Sequence, residues 1–224
     1  MSYLVFDIET VGDSWETLDS GTQEYLLKYA ETPEEQDTVK QTLGFHPLTG
    51  QIVAIGLYDP EKDIKSVYFQ APGADLPEKY EQNGIHYLVG SEQQILEKFW
   101  ATVRKYQTFV TFNGREFDCP YVLMRSAIHR VAPTRNLMPY RYSDKEHVDL
   151  LDQLTFYRAT RKFNLDYYCK RFGIVSPKEE GVTGLMVPEM YAEGKYHEIA
   201  EYCMRDVVAT GELLQIWRDY LKTS

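Results

Sequence analysis

Apolar positions along the chain follow two periods, and each predicts a different element. Residues 3–8, YLVFDI, form a short apolar run with β-branched and aromatic members, the pattern of a buried strand. Residues 51–58, QIVAIGLY, repeat it, Asp59-Pro60 turns the chain, and 64–70 returns as an antiparallel partner. The stretch 71–84 is punctuated by Pro and Gly and reads as a loop, and 86–89 adds a short edge strand. Residues 108–112, TFVTF, predict a fourth strand and 147–151 a fifth.

Helical spacing lies between these runs. Thr32-Pro33-Glu34-Glu35 has an N-cap, a proline at the first helical position and acids in the first turn, with Gly44 and Pro47 ending that helix. Ser91-Glu92-Gln93-Gln94 is a capping box, and the helix it opens gathers Ile95, Leu96, Phe99, Trp100 and Val103 on one face. Further helices are expected at 117–129, 163–172 and 196–221, with an irregular segment at 132–142 and a loop marked by Gly173, Pro177, Gly181 and Gly184. The order is three strands, helix, strand, helix, strand, helices: one mixed α/β domain over residues 1–224, with an acidic helical insertion at about 13–50.

Composition adds limits. With 224 residues, 43% hydrophobic and 26% charged, the chain can bury a core and is not disordered by composition. Three cysteines without CxxC spacing and five scattered histidines give neither a disulfide framework nor a zinc knuckle, and suit a reducing cytoplasm. The N-terminus has no basic n-region and carries Asp7 inside its first apolar run, so no signal peptide is expected. No stretch approaches the ~20 apolar residues of a membrane span.

The net charge of −10 argues against a plain basic binder but conceals an asymmetry. Residues 1–103 carry 6 Lys and no Arg against 18 acids, residues 104–171 carry 13 Lys and Arg against 7 acids, and residues 172–224 carry 5 against 9. The arginine-rich middle is either a phosphate-facing surface or a set of surface ion pairs.

Three places put carboxylates where solubility does not need them. Asp7-Ile8-Glu9 closes the first strand, and period-two alternation turns both acids to one face, where they repel unless a cation sits between them. Asn113-Gly114-Arg115-Glu116-Phe117-Asp118 leaves the fourth strand and puts Asp118 near a helix start. In Tyr202-Cys203-Met204-Arg205-Asp206 the tyrosine and aspartate share a helical face beside the apolar stripe Ile199, Cys203, Val207 and Thr210. Each pattern is common alone, since D-x-E recurs at Asp59–Glu61 and Asp144–Glu146, and Y-x-x-x-D at Tyr3–Asp7 and Tyr140–Asp144. Together they form a set of hard oxygen donors without histidine or cysteine partners, which suits Mg²⁺ or Mn²⁺.

With these residues the sequence resembles the DEDDy-type 3′–5′ exonucleases of the ribonuclease H-like superfamily, in particular the proofreading exonuclease domain of family B DNA polymerases. FDIET matches the first motif, NGREFD the second and YCMRD the third, with VDLLD at 148–152 and FNLDYYCKRFGI between. The resemblance implies a three-layer fold, a mixed sheet of five or slightly more strands flanked by helices. It implies two Mg²⁺ or Mn²⁺ ions: Asp7, Glu9 and Asp206 on the one carrying the attacking water, Asp7 and Asp118 on the one at the leaving oxygen. Tyr202 then orients the water and Glu9 also reaches the terminal 3′-hydroxyl. Asn113 contacts the strand, and Thr10 and Phe117 line the terminal nucleotide's pocket. Arg158 and Arg161 are candidate strand contacts from the arginine-rich block.

The expected partner is single-stranded nucleic acid with a free 3′ end, DNA before RNA. A free-standing form is expected because no polymerase sequence follows residue 224. Two alternatives remain: a catalytically lapsed nucleic-acid-binding module of the same fold, and a glycoside hydrolase pairing Asp7 with Asp118, which would work without metal.

Overall fold

The computed structural model describes residues 2–178, 181 and 183–222. Strands β1 (Tyr3–Gly12), β2 (Gly50–Asp59), β3 (Ile64–Phe69), β4 (Lys79–Gln82), β5 (Ile85–Val89), β6 (Thr108–Thr111) and β7 (His147–Asp149) form one mixed sheet. Their order is β4-β5-β3-β2-β1-β6-β7. β1 runs antiparallel to β2, with Val5 opposite Tyr58, and parallel to β6, with Tyr3 opposite Thr108. Helices α1 (Ser20–Leu27) and α2 (Pro33–Gln41) lie between β1 and β2, α3 (Glu92–Val103) precedes β6, and α4 (Asp118–Ile128) follows it. After β7 come α5 (Leu150–Leu154), α6 (Leu165–Phe172), α7 (Val187–Ala192) and α8 (Tyr196–Tyr220).

The pleat of β1 sorts the two core layers. Leu4, Phe6 and Ile8 pack with Ile95, Phe99 and Trp100 of α3 and with Tyr121 and Val122 of α4. Tyr3, Val5 and Val11 face the other way, into the layer formed by Ile199, Cys203, Val207 and Leu214 of α8. Burial of one such aliphatic or aromatic side chain contributes about 1.5–3 kcal/mol. Two glycines bring α8 unusually near the sheet. A Cβ on Gly56 of β2 would lie 2.7 Å from Val207 Cγ2, and one on Gly211 of α8 would lie 2.7 Å from the Tyr58 ring. This close approach holds the α8 residues flanking the stripe over β1.

The structure differs from the sequence pattern at four places. The stretch 71–84 contains β4, whose four residues include one apolar side chain, so no period shows; Tyr80 stacks on Tyr87 at 4.9 Å. The turn into β5 is Asn83-Gly84, both at positive φ (53° and 74°), the hairpin signal that composition obscured. The fifth strand ends at Asp149, because the Asp149 carboxylate accepts the Leu151 and Asp152 N–H groups and starts α5. The glycine-marked loop holds α7, with Pro188 in its first turn. β1 continues past Glu9 to Gly12 with an irregularity between Glu9 and Thr10, so the first carboxylates sit inside a strand and not at its end. No helix of the described residues is long and apolar enough to cross a membrane.

Candidate functional site

β6 pairs with β1 only as far as Val5 and Val110, then ends at Thr111. The edge of β1 beyond that point needs other partners, and the turn after β6 supplies one. Asn113 takes a left-handed φ of 65°, and the buried Asp149 carboxylate fastens the turn by accepting the N–H groups of Asn113 (3.0 Å) and Arg115 (2.9 Å). The chain then enters α4 at Asp118, whose Oδ1 accepts the Ile8 N–H at 3.1 Å. Asp118 is thereby locked between Asp7 and Glu9 in sequence register while facing the gap that β6 leaves.

α8 approaches from the other layer. The Cys203 thiol donates to the Asp7 carbonyl oxygen at 3.6 Å, which fixes the helix against β1 at this point. Tyr202 and Asp206 lie one helical turn apart on one face of α8, near enough for the tyrosine hydroxyl to draw the Asp206 carboxyl down. Donor atoms of Asp7, Glu9 and Cys203 all lie within 4.8 Å of one another.

Burial and mutual repulsion dominate the electrostatics. Burial raises Asp7 well above the usual carboxylate range, and Asp118, Asp206 and Glu9 raise it further. Glu9 is raised by burial, then by Asp206 and Asp118. Burial holds Asp118 up at about 7 against the pull of the Ile8 N–H. Burial lifts Asp206 to about 6, while the Tyr202 hydroxyl, Lys178 and Arg205 draw it down. Tyr202 itself is driven far above its ordinary value, first by burial and then by Asp206 and Glu9, so its hydroxyl stays protonated and acts only as a donor or weak acceptor.

These residues fit a divalent cation. Asp7, Glu9 and Asp118 are each raised by neighbouring carboxylates as well as by burial, and a cation among them offsets that repulsion. The thiol grouped with Asp7 and Glu9 is unsuited to be a ligand: burial, then Asp7 and Glu9, keep Cys203 protonated. The donor set is therefore all oxygen, the set that hard divalent ions prefer.

Two cavities flank the carboxylates. A cleft of about 390 Å³ is lined by Asp7, Asp206, Tyr202, Asn113, Phe163 and Lys178, among others. A narrower slot of about 150 Å³ lies past Glu9, between Thr10, Phe117, Phe45 and Leu185. Thus the structure brings Asp7, Glu9, Asp118, Tyr202 and Asp206 together, puts Asn113 in the cleft, and puts Thr10 and Phe117 in the slot. Arg158 and Arg161 line neither. Arg158 pairs with Glu116, and Arg161 lies over the Phe163 ring at 5.1 Å, at the margin of the cleft. A roomier cavity of about 440 Å³ between α8 and the β3–β5 edge gathers no such cluster: its acids, Glu201 and Glu212, both belong to α8.

Sequence reasoning missed Lys178 and Phe163 in the cleft and Phe45 and Leu185 in the slot. All four come from irregular segments or their edges, where no period marks the residue. For Phe163 a signal was available in the FNLDYY run.

Residues 77–215 match a family described as "Predicted 3'-5' exonuclease related to the exonuclease domain of PolB". That range includes Asp118, Tyr202 and Asp206 and begins after Asp7 and Glu9. Among solved structures, the family B DNA polymerase of the hyperthermophilic archaeon Pyrobaculum calidifontis is similar, with a TM-score of 0.62 and 18% identity over 97% of this chain and 24% of that one. The chain thus spans about a quarter of that polymerase's length, and the likeness concerns the fold: a ribonuclease H-like architecture with seven strands among the described residues. No curated protein sequence matches.

Proposed function

The chain belongs to the family of predicted 3′–5′ exonucleases related to the exonuclease domain of PolB, and from that premise we propose that it hydrolyses single-stranded nucleic acid from a free 3′ end, DNA in preference to RNA. The observation that carries the proposal is the convergence of Asp7, Glu9, Asp118 and Asp206 from three elements into one set, with Glu9 and Asp118 buried, Asp7 and Asp206 lining the cleft, and Asp118 and Asp206 raising the carboxyls of Asp7 and Glu9. We assign these four residues to two Mg²⁺ or Mn²⁺ ions. Bound there, the ions would supply Lewis-acid polarisation of the phosphodiester and stabilise charge on the attacking and leaving oxygens.

The remaining steps belong to the chain's own side chains. Tyr202 is too strongly held in its neutral form to serve as a base. Its hydroxyl stands beside Asp206, whose carboxyl it draws down, and Tyr202 lines the cleft as an orienting group for the nucleophile. Thr10 and Phe117 wall a slot of a size that takes one base, with Glu9 at its mouth. Asn113 and Lys178 face the cleft on the other side, where Lys178 sets a positive charge beside Asp206 and can offset phosphate charge. The preference for DNA follows the relation to a DNA polymerase's exonuclease domain.

The decisive experiment is a time course on 5′-labelled single-stranded DNA and RNA with Mg²⁺, Mn²⁺ or EDTA. The expected result is stepwise shortening from the 3′ end with either metal, faster on DNA, and none in EDTA. Binding without cleavage under both metals would establish the lapsed-module alternative, and cleavage of a glycoside in EDTA the hydrolase one.

A further inference from the structure

Beside the cleft the chain displays aromatic side chains that its own core does not use. Tyr140 and Tyr142 are 73% and 61% exposed, and Phe156 is 58% exposed. The rings of Tyr140, Tyr142 and Tyr157 follow one another at centroid distances of 5.7 and 4.9 Å. An exposed irregular loop ordinarily leaves such rings mobile, but this one is clamped from below. The Arg115 guanidinium donates to the carbonyls of Pro139 (2.9 Å) and Tyr140 (3.5 Å). Arg141 forks onto both oxygens of Asp152, and the Gln153 amide donates to the Tyr157 hydroxyl at 2.9 Å.

The backbone under Tyr157 is equally unusual. Phe156, Tyr157 and Arg158 are three successive non-glycine residues at positive φ (49°, 56° and 74°). Left-handed backbone at such residues persists only where the surroundings impose it. Here the Tyr157 N–H is held by the Asp152 carbonyl at 2.7 Å and the Arg158 N–H by the buried Thr155 hydroxyl at 3.2 Å. The outcome is a fixed order in which Phe156 and Arg158 are exposed and Tyr157 is half-buried between them.

The row continues into the cleft. Arg158 and Lys162 reach Glu116, two residues before Asp118, and Arg161 covers Phe163, which lines the cleft with Asp7 and Asp206. Arg115, which carries the tyrosine loop, belongs to the same turn as Asn113. We propose that Tyr140, Tyr142 and Tyr157 form a preordered stacking platform for the bases 5′ of the nucleotide being removed, with Arg158, Arg161 and Lys162 beside its phosphates. This rests on the exonuclease reading. Rings presented to solvent beside guanidinium and ammonium groups, in the one block of the chain with net positive charge, fit unpaired bases and their backbone.

The test compares wild type with a Tyr140→Ala/Tyr142→Ala double variant on an oligonucleotide of about 12 nucleotides and on one of about 3, too short to reach the platform. Two readouts are taken: anisotropy of 5′-labelled DNA in EDTA, and KM and kcat with Mg²⁺. Loss of a stacked base weakens binding by roughly tenfold or more. Affinity for the long strand should fall and its KM rise by about that factor, with kcat and the short substrate unaffected and Tyr142→Phe behaving as wild type. Equal long-strand affinity and KM in the double variant, or an equal loss on both lengths, overturns the platform and returns the patch to a protein-facing or merely structural surface. If wild type binds and never cuts while the double variant loses long-strand binding, the platform stands and the exonuclease reading falls.

Discussion

Asp118→Asn isolates the cost of charge in the carboxylate cluster. Asp118 is 3% exposed, and its Oδ1 accepts the Ile8 N–H. An asparagine keeps that acceptor and shape and removes only the charge. Burial raises the carboxyl from 3.8 to about 7 in the folded protein. Because the folded value lies above the unfolded one, the group's contribution is fully present below about pH 4 and is lost as pH rises through 7. About three units at 1.36 kcal/mol each give roughly 4 kcal/mol lost by about pH 8, and less than half of that by about pH 5. Asp7 and Glu9 are both raised by Asp118, so its neutralisation relieves them too and adds to the gain. For a domain of this size roughly 2–4 °C accompanies each kcal/mol. Thermal unfolding in EDTA should therefore find the variant about 10 °C more stable than wild type at alkaline pH, with the gap shrinking towards pH 5. His147, buried and held well below its ordinary value, titrates with the opposite sign but occurs in both proteins and cancels from the difference. Manganese at about a hundredfold excess over its Kd should restore roughly 2.7 kcal/mol to wild type and less to the variant. A variant no more stable than wild type in EDTA at alkaline pH, or a gap independent of pH, refutes the reasoning.

Further outcomes follow from the same geometry. Tyr202→Phe keeps the buried ring and loses the hydroxyl, so single-turnover hydrolysis should slow by about 10- to 1000-fold with the melting temperature nearly unchanged, and Asp206→Ala should lose more; full-rate cutting with Phe at 202 removes the orienting role. The Tyr202 hydroxyl also lowers Asp206, so the same variant should move the acid limb of the rate profile to higher pH. Arg161→Ala should flatten the salt dependence of single-strand binding by about one phosphate contact. Arg158→Ala should do less, because Glu116 already holds that guanidinium; equal slopes in wild type and Arg161→Ala would leave that arginine as a cover for Phe163.

How far the sequence could be read depended on what enforces each element. The two core layers were legible because burial imposes a period: Ile95, Phe99 and Val103 on α3, and Ile199, Cys203 and Val207 on α8, announce their faces. The acidic cluster was legible for a related reason, since charge inside an apolar stretch needs a cause. Short or polar elements were not, as with β4, which pairs through its backbone and is marked only by the Asn83-Gly84 turn. Helices α1 and α2 bury no residue, so their side chains carry no trace of what they face.

The arginine-rich block shows most clearly why composition misleads. Counted along the chain, its guanidinium groups suggest a phosphate surface, yet several turn inward. Arg115 bonds Pro139 and Tyr140, Arg125 bonds Glu92 and the Pro47 carbonyl, and Arg135 bonds the carbonyls of Tyr106 and Gln107. The reason lies in the irregular segments themselves. A loop such as 132–142 cannot satisfy its own carbonyls through a helix or a ladder, and a planar five-donor fork can bridge two of them at once. The same arginines therefore organise the chain around the cleft: Arg125 ties α4, which begins at Asp118, to the segment flanking the slot, and Arg115 ties the Asn113 turn to the exposed tyrosines. Charge that looks available for a ligand has been committed to shaping the loops that would meet it, and positive charge facing the nucleic acid is left to the groups outside those clamps: Lys178 in the cleft, Arg161 at its margin, and Arg158 and Lys162, which share Glu116.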